Sequence, residues 1–328
     1  MQINSELVKK AIANSSQVII TSHRNLDLDA LGSSLGLYYL CKSMGKDTCL
    51  LIDDKTHEDG VEKSLKEIIN QKLNIKIKNW NYIESNVDDQ TLLIIVDTQL
   101  PYLVQNEKSL TVKNKIVIDH HIESVNKIVP VIYEYIGYEQ SSSVEIIIDL
   151  LDNLDIYIHP YVASVMLAGI FVDTNGFIRK TNYKTHESAA YLYKCNANLN
   201  EVQYLLKEDI KKYNDMQKVI SEAKIINNHF IIATGHESHI YDNEDLAKIS
   251  DAMLLLKDIE ASFTIGYIGD DKIGISARSF SKVDVQKIMK KLNGGGHLTD
   301  AATQLSGETL ESSFQKLKKI IEKIEGDF

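Results

Sequence analysis

The chain has 328 residues, 44% of them hydrophobic and 25% charged, which is ordinary for a globular protein and long enough for two domains with separate cores. Three prolines exclude long Pro-rich linkers, no apolar run approaches the roughly 20 residues of a bilayer span, and the start lacks the pattern of a signal peptide. A net charge of −10 excludes coating of long nucleic acid by general electrostatics, and three cysteines (Cys41, Cys49, Cys195) without metal-type spacing fit a reducing, cytoplasmic setting.

Residues 17–21 read as a strand, 30–44 as a helix, 48–52 as a strand and 58–75 as a polar amphipathic stretch. Residues 92–97 and 116–119 are short, buried and rich in Ile and Val, hence strands; 141–151, 161–169 and 184–195 read as helices. Strands alternating with helices predict an α/β fold, a mainly parallel sheet with helices on both faces. This first domain covers 1–190. One long helical connector is expected within 191–224, from about 200 to 223. Around Asn227-Asn228-His229 the pattern resets. A strand over 230–233, a helix over 244–256, a hairpin of 262–268 and 272–277 around Gly269-Asp270-Asp271, and helices over 283–292 and 310–324 predict a smaller mixed α/β domain at 225–328.

The chemistry gathers where apolar runs end. Val18-Ile19-Ile20 leads into His23-Arg24-Asn25-Leu26-Asp27-Leu28-Asp29-Ala30-Leu31-Gly32-Ser33. The run over 92–96 leads into Asp97, Ile116-Val117-Ile118 into Asp119-His120-His121, and the run over 167–172 into Asp173. In an open α/β sheet, the carboxyl ends of the strands are where ligands bind. After a turn, His23, Asp27 and Asp29 can be aimed at one point, while Asp27 or Asp29 can equally cap the helix behind them. Asp97 and Asp173, each alone, read as turn residues. His120 and His121 offer one imidazole as a ligand and one for a phosphate, or a solvated polar pair. Together these groups fit two divalent ions a few ångströms apart, which need about six side chains including a bridging carboxylate. Acids and imidazoles without thiolate suit Mn²⁺ ahead of Zn²⁺ or Mg²⁺.

Those four segments resemble the motifs of the DHH phosphoesterase superfamily, which includes RecJ-type exonucleases, family II inorganic pyrophosphatases, oligoribonucleases and cyclic dinucleotide phosphodiesterases. The second half, with Gly294-Gly295-Gly296-His297, resembles the DHH-associated C-terminal domain, so the resemblance spans nearly the whole chain. More narrowly, Ile275-Ser276-Ala277-Arg278-Ser279, residues 283–289, the run GGGHLTDAATQL from Gly294, residues 205–209 and residues 167–173 are similar to the catalytic part of the PAS/GGDEF-DHH type cyclic-di-AMP phosphodiesterases. Leu26 stands where proline is common in the wider superfamily, and an apolar residue there is similar to that subgroup. No membrane helix, PAS domain or GGDEF domain precedes the motif, which leaves a catalytic fragment or a free-standing relative.

The resemblance implies His23 and Asp27 on one metal, Asp29 and His120 on the second, and Asp97 and Asp173 shared or nearly shared. It implies that Asp119 orients the imidazoles, that His121 lies near the substrate phosphate, and that Arg278, Gly294, Gly295, Gly296 and His297 form a substrate wall facing the metals across an interdomain cleft. Read without it, the glycines allow close backbone approach or mark a helix end, and Arg278 grips a phosphate with two hydrogen bonds or makes a surface ion pair. Lys287, Lys290 and Lys291 add positive potential or form a solvated helix face. Ser141, Ser142 and Ser143 cap a helix or lie near substrate. Trp80 and the tyrosines make no regular stacking array.

The implied activity is hydrolysis of cyclic-di-AMP to pApA by a two-metal-activated hydroxide, with onward cleavage to AMP where the cleft accepts free ends. Asp97, Asp119, His121 and Arg278 are its catalytic groups. The alternative is an oligoribonuclease acting on short RNA and pApA. A family II pyrophosphatase fits the C-terminal motifs less well, and a non-cleaving sensor fits poorly with six filled ligand positions. Expected partners are cyclic-di-AMP, pApA or short oligoribonucleotides, without long duplex nucleic acid. A homodimer through the first domain is left open.

Overall fold

The computed structural model describes residues 3–53, 57–152, 156–269, 271–280 and 282–323. Asp270, in the expected hairpin turn, and Ile324, in the expected closing helix, lie outside the described residues. The chain divides into two compact units, Met1–Lys207 and Glu208–Phe328.

In the first unit the strands are β1 (Val18–Thr21), β2 (Thr48–Leu51), β3 (Ile77–Lys78), β4 (Leu92–Val96), β5 (Asn114–Asp119) and β6 (Tyr133–Ile136). They form a parallel sheet in the order β3-β2-β1-β4-β5-β6. The helices are α1 (Ser5–Asn14), α2 (Leu28–Ser43), α3 (Asp59–Asn70), α4 (Trp80–Ile83), α5 (Ser143–Asp152), α6 (Pro160–Asp173), α7 (Tyr183–Lys194) and α8 (Leu199–Leu205).

The two-residue period of a strand decides which side chains meet which layer. Val18, Ile20, Leu92, Ile94, Val96, Ile116 and Ile118 pack into the main core with α2, α5 and α6. Their alternates Ile19, Leu93, Ile95 and Val117 enter a smaller core on the opposite face, with Trp80 and Ile83 of α4. Helices therefore cover both faces, as expected, but unequally. Strands β1 and β4 lie side by side where the strand order reverses, and an open α/β sheet has its ligand crevice beyond such a point.

Helices α2 and α6 are buried almost all round, as suits elements sandwiched inside a core. They touch closely because two glycines allow it. A Cβ on Gly32 would come 2.9 Å from the Cα of Met166, and one on Gly169 would come 2.8 Å from the Cα of Asp29.

The second unit contains α9 (Ile210–Ser221), β7 (Lys224–Ile226), β8 (Phe230–Thr234), α10 (Asn243–Leu254), β9 (Ala261–Gly269), β10 (Lys272–Ser279), α11 (Val285–Lys290), β11 (Gly295–Gly296), β12 (Asp300–Ser306) and α12 (Leu310–Glu322). Its sheet runs β11-β12-β10-β9-β8-β7, antiparallel except for the parallel β8–β9 pair. Helices α11 and α12 cover one face, α9 and α10 the other.

Three expectations change. The stretch over 200–223 is two helices, not one: α8 ends by Leu206, and Asp209 starts α9 by accepting hydrogen bonds from the backbone N–H of Lys211 and Lys212. The helix expected over 161–169 runs on to Asp173, so this acid ends a buried helix, unlike the acids that follow β4 and end β5. The glycines after α11 form the short strand β11, paired with β12.

Candidate metal centre

The site is assembled at the carboxyl edge of the first sheet. After β1 the chain turns through Asn25, at φ +52°, and places His23 and Asp27 before α2. Asp27 is the cap of α2, its Oδ1 accepting a hydrogen bond of 2.8 Å from the Ala30 N–H, while its Oδ2 lies 3.4 Å from His23 Nε2. The two readings of Asp27, cap and ligand, are thus compatible: one oxygen caps α2 and the other faces His23. Asp29 follows in the first turn of α2, fully buried.

Asp97 leaves β4 at φ +63°, in the left-handed region that Asp tolerates better than most residues. This conformation turns the chain off the sheet and leaves the carboxylate at the centre of the group. Its Oδ2 lies 3.2 Å from His23 Nε2, and its Oδ1 lies 3.3 Å from His120 Nε2 and accepts a 3.0 Å hydrogen bond from the Ser143 hydroxyl. His120 Nε2 is also 3.5 Å from Asp173 Oδ2 and 4.0 Å from Asp29 Oδ2. Asp119 ends β5 and holds His121 through an Oδ1–Nδ1 contact of 2.8 Å, while its Oδ2 accepts a 2.8 Å hydrogen bond from Gln99.

Two donor sets of three emerge, His23-Asp27-Asp97 and Asp29-His120-Asp173, the donor atoms of each lying within 4.8 Å of one another; Asp97, His120 and His121 form a third, overlapping set. Ligands held about 2.0–2.2 Å from an ion stand roughly 3–3.6 Å apart, depending on coordination geometry. The His–Asp separations of 3.2, 3.4, 3.3 and 3.5 Å fall in that range. Asp97 contributes one oxygen towards each main set.

Charge supports the same fit. Four carboxylates face two imidazoles. Asp173 Oδ2 is buried without a hydrogen-bond partner among the described residues. Burial pushes Asp173 up to about 7, opposed by His120 and aided by Asp27 and Asp97. Burial, with Asp97 and Asp173 beside it, also holds Asp29 well above the carboxylate range. For Asp97, burial would raise the pKa, but the hydrogen-bonding contacts with His120 and His23 outweigh it and hold it well below the usual range. Burial alone would lower the histidines; Asp27 and Asp97 instead raise His23 to about 12, and Asp97 with Asp173 raises His120 to about 10. An acid cluster that keeps its imidazoles protonated and leaves an oxygen unpartnered has the polarity of a cation site.

Other expected residues fall elsewhere. Ser141 and Ser142 do not offer exposed hydroxyls: both are buried, Ser141 donating to the Glu145 carboxylate and Ser142 accepting from the Glu145 N–H. They build the start of α5. Ser143, beside them, reaches Asp97, and Gln99 supports Asp119; the sequence reading makes Ser143 a cap or substrate neighbour, not a partner of Asp97, and does not include Gln99. Arg278 lies in the second unit with its Nε 3.2 Å from Asp251 and 3.3 Å from Asp300, while its Nη1 donates to Ser276 and to the Ala277 carbonyl. Gly294 and Gly296 sit too close to β12 for any Cβ: one on Gly294 would come 2.5 Å from Thr303 Cβ, and one on Gly296 2.5 Å from Ala301 Cα. Gly295 has open space beside it. His297 is exposed, and its N–H donates to the Asp300 carbonyl. Lys287, Lys290 and Lys291 are exposed, the first two pairing with Asp284 and Gln286 along α11.

Residues 17–170 match the DHH family, N-terminal domain, and residues 227–325 match the DHHA1 domain. The cyclic-di-AMP phosphodiesterase GdpP of Geobacillus thermodenitrificans is 36% identical over 325 residues, covering 98% of this chain and 49% of that protein. The chain spans half or less of the length of the curated relatives that share 32–36% identity with it. The bifunctional oligoribonuclease and PAP phosphatase NrnA of Thermus thermophilus is 24% identical, covering 98% of this chain and 93% of that protein. Among solved structures, an exopolyphosphatase-related protein from Bacteroides fragilis shares the fold with a TM-score of 0.77, at 20% identity over 98% of this chain and 96% of that one. Among the described residues, no helix is long and apolar enough to cross a membrane.

Proposed function

This chain belongs to the DHH family, with a DHHA1 domain behind the DHH domain, and from that premise we propose that it is a metal-dependent phosphodiesterase cleaving cyclic-di-AMP to pApA. The observation that carries the reading is the pair of adjacent three-donor sets, His23-Asp27-Asp97 and Asp29-His120-Asp173, with the second oxygen of Asp97 lying 3.3 Å from His120 of the other set. His23, Asp27 and Asp97 would hold one ion; Asp29, His120 and Asp173, with the second oxygen of Asp97, the other. When bound, a pair of divalent ions supplies positive charge for phosphoryl oxygens and lowers the pKa of water enough for hydroxide to be available near neutral pH. The absence of thiolate favours Mn²⁺.

The chain's own groups supply the rest. Asp119 fixes His121 through Nδ1, leaving Nε2 available to a phosphoryl or leaving oxygen, and raises the imidazole's pKa against the effect of burial. A protonated His121 can therefore stabilise developing charge or hand a proton to the departing 3′ oxygen. Arg278 is proposed as the phosphate grip of the second unit, exchanging its carboxylate partners for a phosphate.

A second reading, oligoribonuclease with pApA as a further substrate, draws on the likeness to NrnA along nearly the whole length of both proteins. Chromatography of products over time, with cyclic-di-AMP, pApA and short RNA as substrates and Mn²⁺, Mg²⁺ or chelator present, tests both. Rapid cleavage of the cyclic dinucleotide in Mn²⁺, abolished by chelator, is the expected result. Loss of pApA with the cyclic dinucleotide untouched transfers the assignment to the second reading, and no turnover of any diester ends both.

A further inference from the structure

We infer that Ser143 is a positioning residue that locks two of the proposed metal ligands, Asp97 and Asp29, into one geometry. The inference rests on the metal reading above and deepens it. Ser143 opens α5 and is completely buried, so it meets neither solvent nor a diffusing substrate. Its hydroxyl donates a 3.0 Å hydrogen bond to Asp97 Oδ1, the oxygen that also faces His120. Its backbone N–H donates at 2.8 Å to Asp29 Oδ2, and the next N–H, that of Val144, donates at 2.9 Å to Asp29 Oδ1. Both oxygens of Asp29 are thus seated on the start of α5, and the side chain of the same residue reaches across to Asp97.

This connection has two consequences. Asp97 is joined to the end of β4 by a strained left-handed turn, so its carboxylate needs a lateral restraint if one oxygen is to face each donor set. The Ser143 hydroxyl is that restraint. Asp29 stands among other carboxylates, and two N–H donors at a helix start fix the direction in which both of its oxygens point. The close approach has its own cause. The Cβ that Gly32 lacks would come 3.2 Å from Val144 Cγ2, so the glycine lets α2 lie tight against the first turn of α5.

Calorimetric titration of the whole chain with Mn²⁺ tests the assignment without reference to any substrate. Groups that orient metal ligands typically change metal affinity by about 10–100-fold when removed. Ser143→Ala should weaken Mn²⁺ binding by about that factor while the melting temperature of the metal-free protein stays close to that of wild type. Ser143→Thr, which keeps the hydroxyl, should bind within a few-fold of wild type. Wild-type Mn²⁺ affinity in Ser143→Ala overturns the inference. Equal weakening in Ala and Thr variants also overturns it, because volume and not the hydroxyl would then be the cause. Should wild type bind Mn²⁺ and cleave no diester, the same titration still judges Ser143, so a failure of the enzymatic reading is distinguishable from a failure of this one.

Discussion

At the scale of single residues, Asp97 combines requirements that normally exclude one another. It is buried, adopts a left-handed backbone and stands among three other carboxylates. Such a residue costs folding free energy and is retained where its geometry is needed. Asp97→Asn keeps the shape and the tolerance for positive φ while removing the charge. It should lower both Mn²⁺ affinity and diester hydrolysis by more than the 10–100-fold typical of a group that merely orients a ligand, and lower the metal-free melting temperature, because His23 and His120 both lose a buried ion-pair partner. Full turnover in saturating Mn²⁺ would remove Asp97 from the site. Acid–base linkage gives a second test. His23 and His120 are raised to about 12 and about 10, so in the metal-free protein their ion pairs persist through neutral pH and are lost only as the pH rises through those values. Ligation requires neutral imidazole, so binding must expel protons. Mn²⁺ affinity should therefore rise from pH 6 to pH 8, with proton release visible as a buffer-dependent binding enthalpy. A flat pH profile with no proton release would contradict the assignment of either histidine as a ligand.

At the scale of elements, the site is a meeting of strand ends and helix ends. The strand ends were legible because a buried parallel strand writes itself as a short Ile/Val run, and Asp97 and Asp119-His120-His121 follow two such runs directly. Asp173 was legible as a candidate ligand, and α6 as a helix over 161–169, but not its last turn to Asp173: the helix is buried all round, so no amphipathic period marks where it ends. The short strands β3 and β11 and the edge strand β6 carried too little pattern to be found. The role of Ser143 was invisible for another reason, since its partners lie 46 and 114 residues away. Gly169 is a similar case. It lies one turn before Asp173 on α6 and faces the backbone of Asp29, where a Cβ would also come 2.9 Å from the Leu28 carbonyl. A backbone neighbour cannot step aside as a side chain can. Gly169→Ala should cost about 1–3 kcal/mol in denaturant unfolding, the range of an overpacked core, and weaken Mn²⁺ binding by moving Asp173 away from Asp29. Unchanged stability would mean that the helices are free to part.

At the scale of the whole molecule, the residues proposed for metal and those proposed for substrate lie in different units. Every donor of the proposed metal pair belongs to Met1–Lys207, whereas Arg278, the triple glycine and His297 belong to Glu208–Phe328. Metal capture and substrate grip are then separable by mutation in the intact chain. Arg278 is the discriminating position, because its guanidinium is set between Asp251 and Asp300. Lysine would keep the charge and still satisfy one of those acids, but it lacks the planar fork that binds two phosphate oxygens at once. Arg278→Lys should therefore raise KM for the cyclic dinucleotide by about tenfold or more, the equivalent of about 1.4 kcal/mol or more of lost binding. Mn²⁺ affinity should not change, since no donor of either set is touched. If the variant instead loses Mn²⁺ with its substrate affinity intact, the proposed division of labour between the units is wrong. If KM and Mn²⁺ affinity both stay at wild-type values, Arg278 is only a structural partner of its two acids and the phosphate grip must be sought on another side chain.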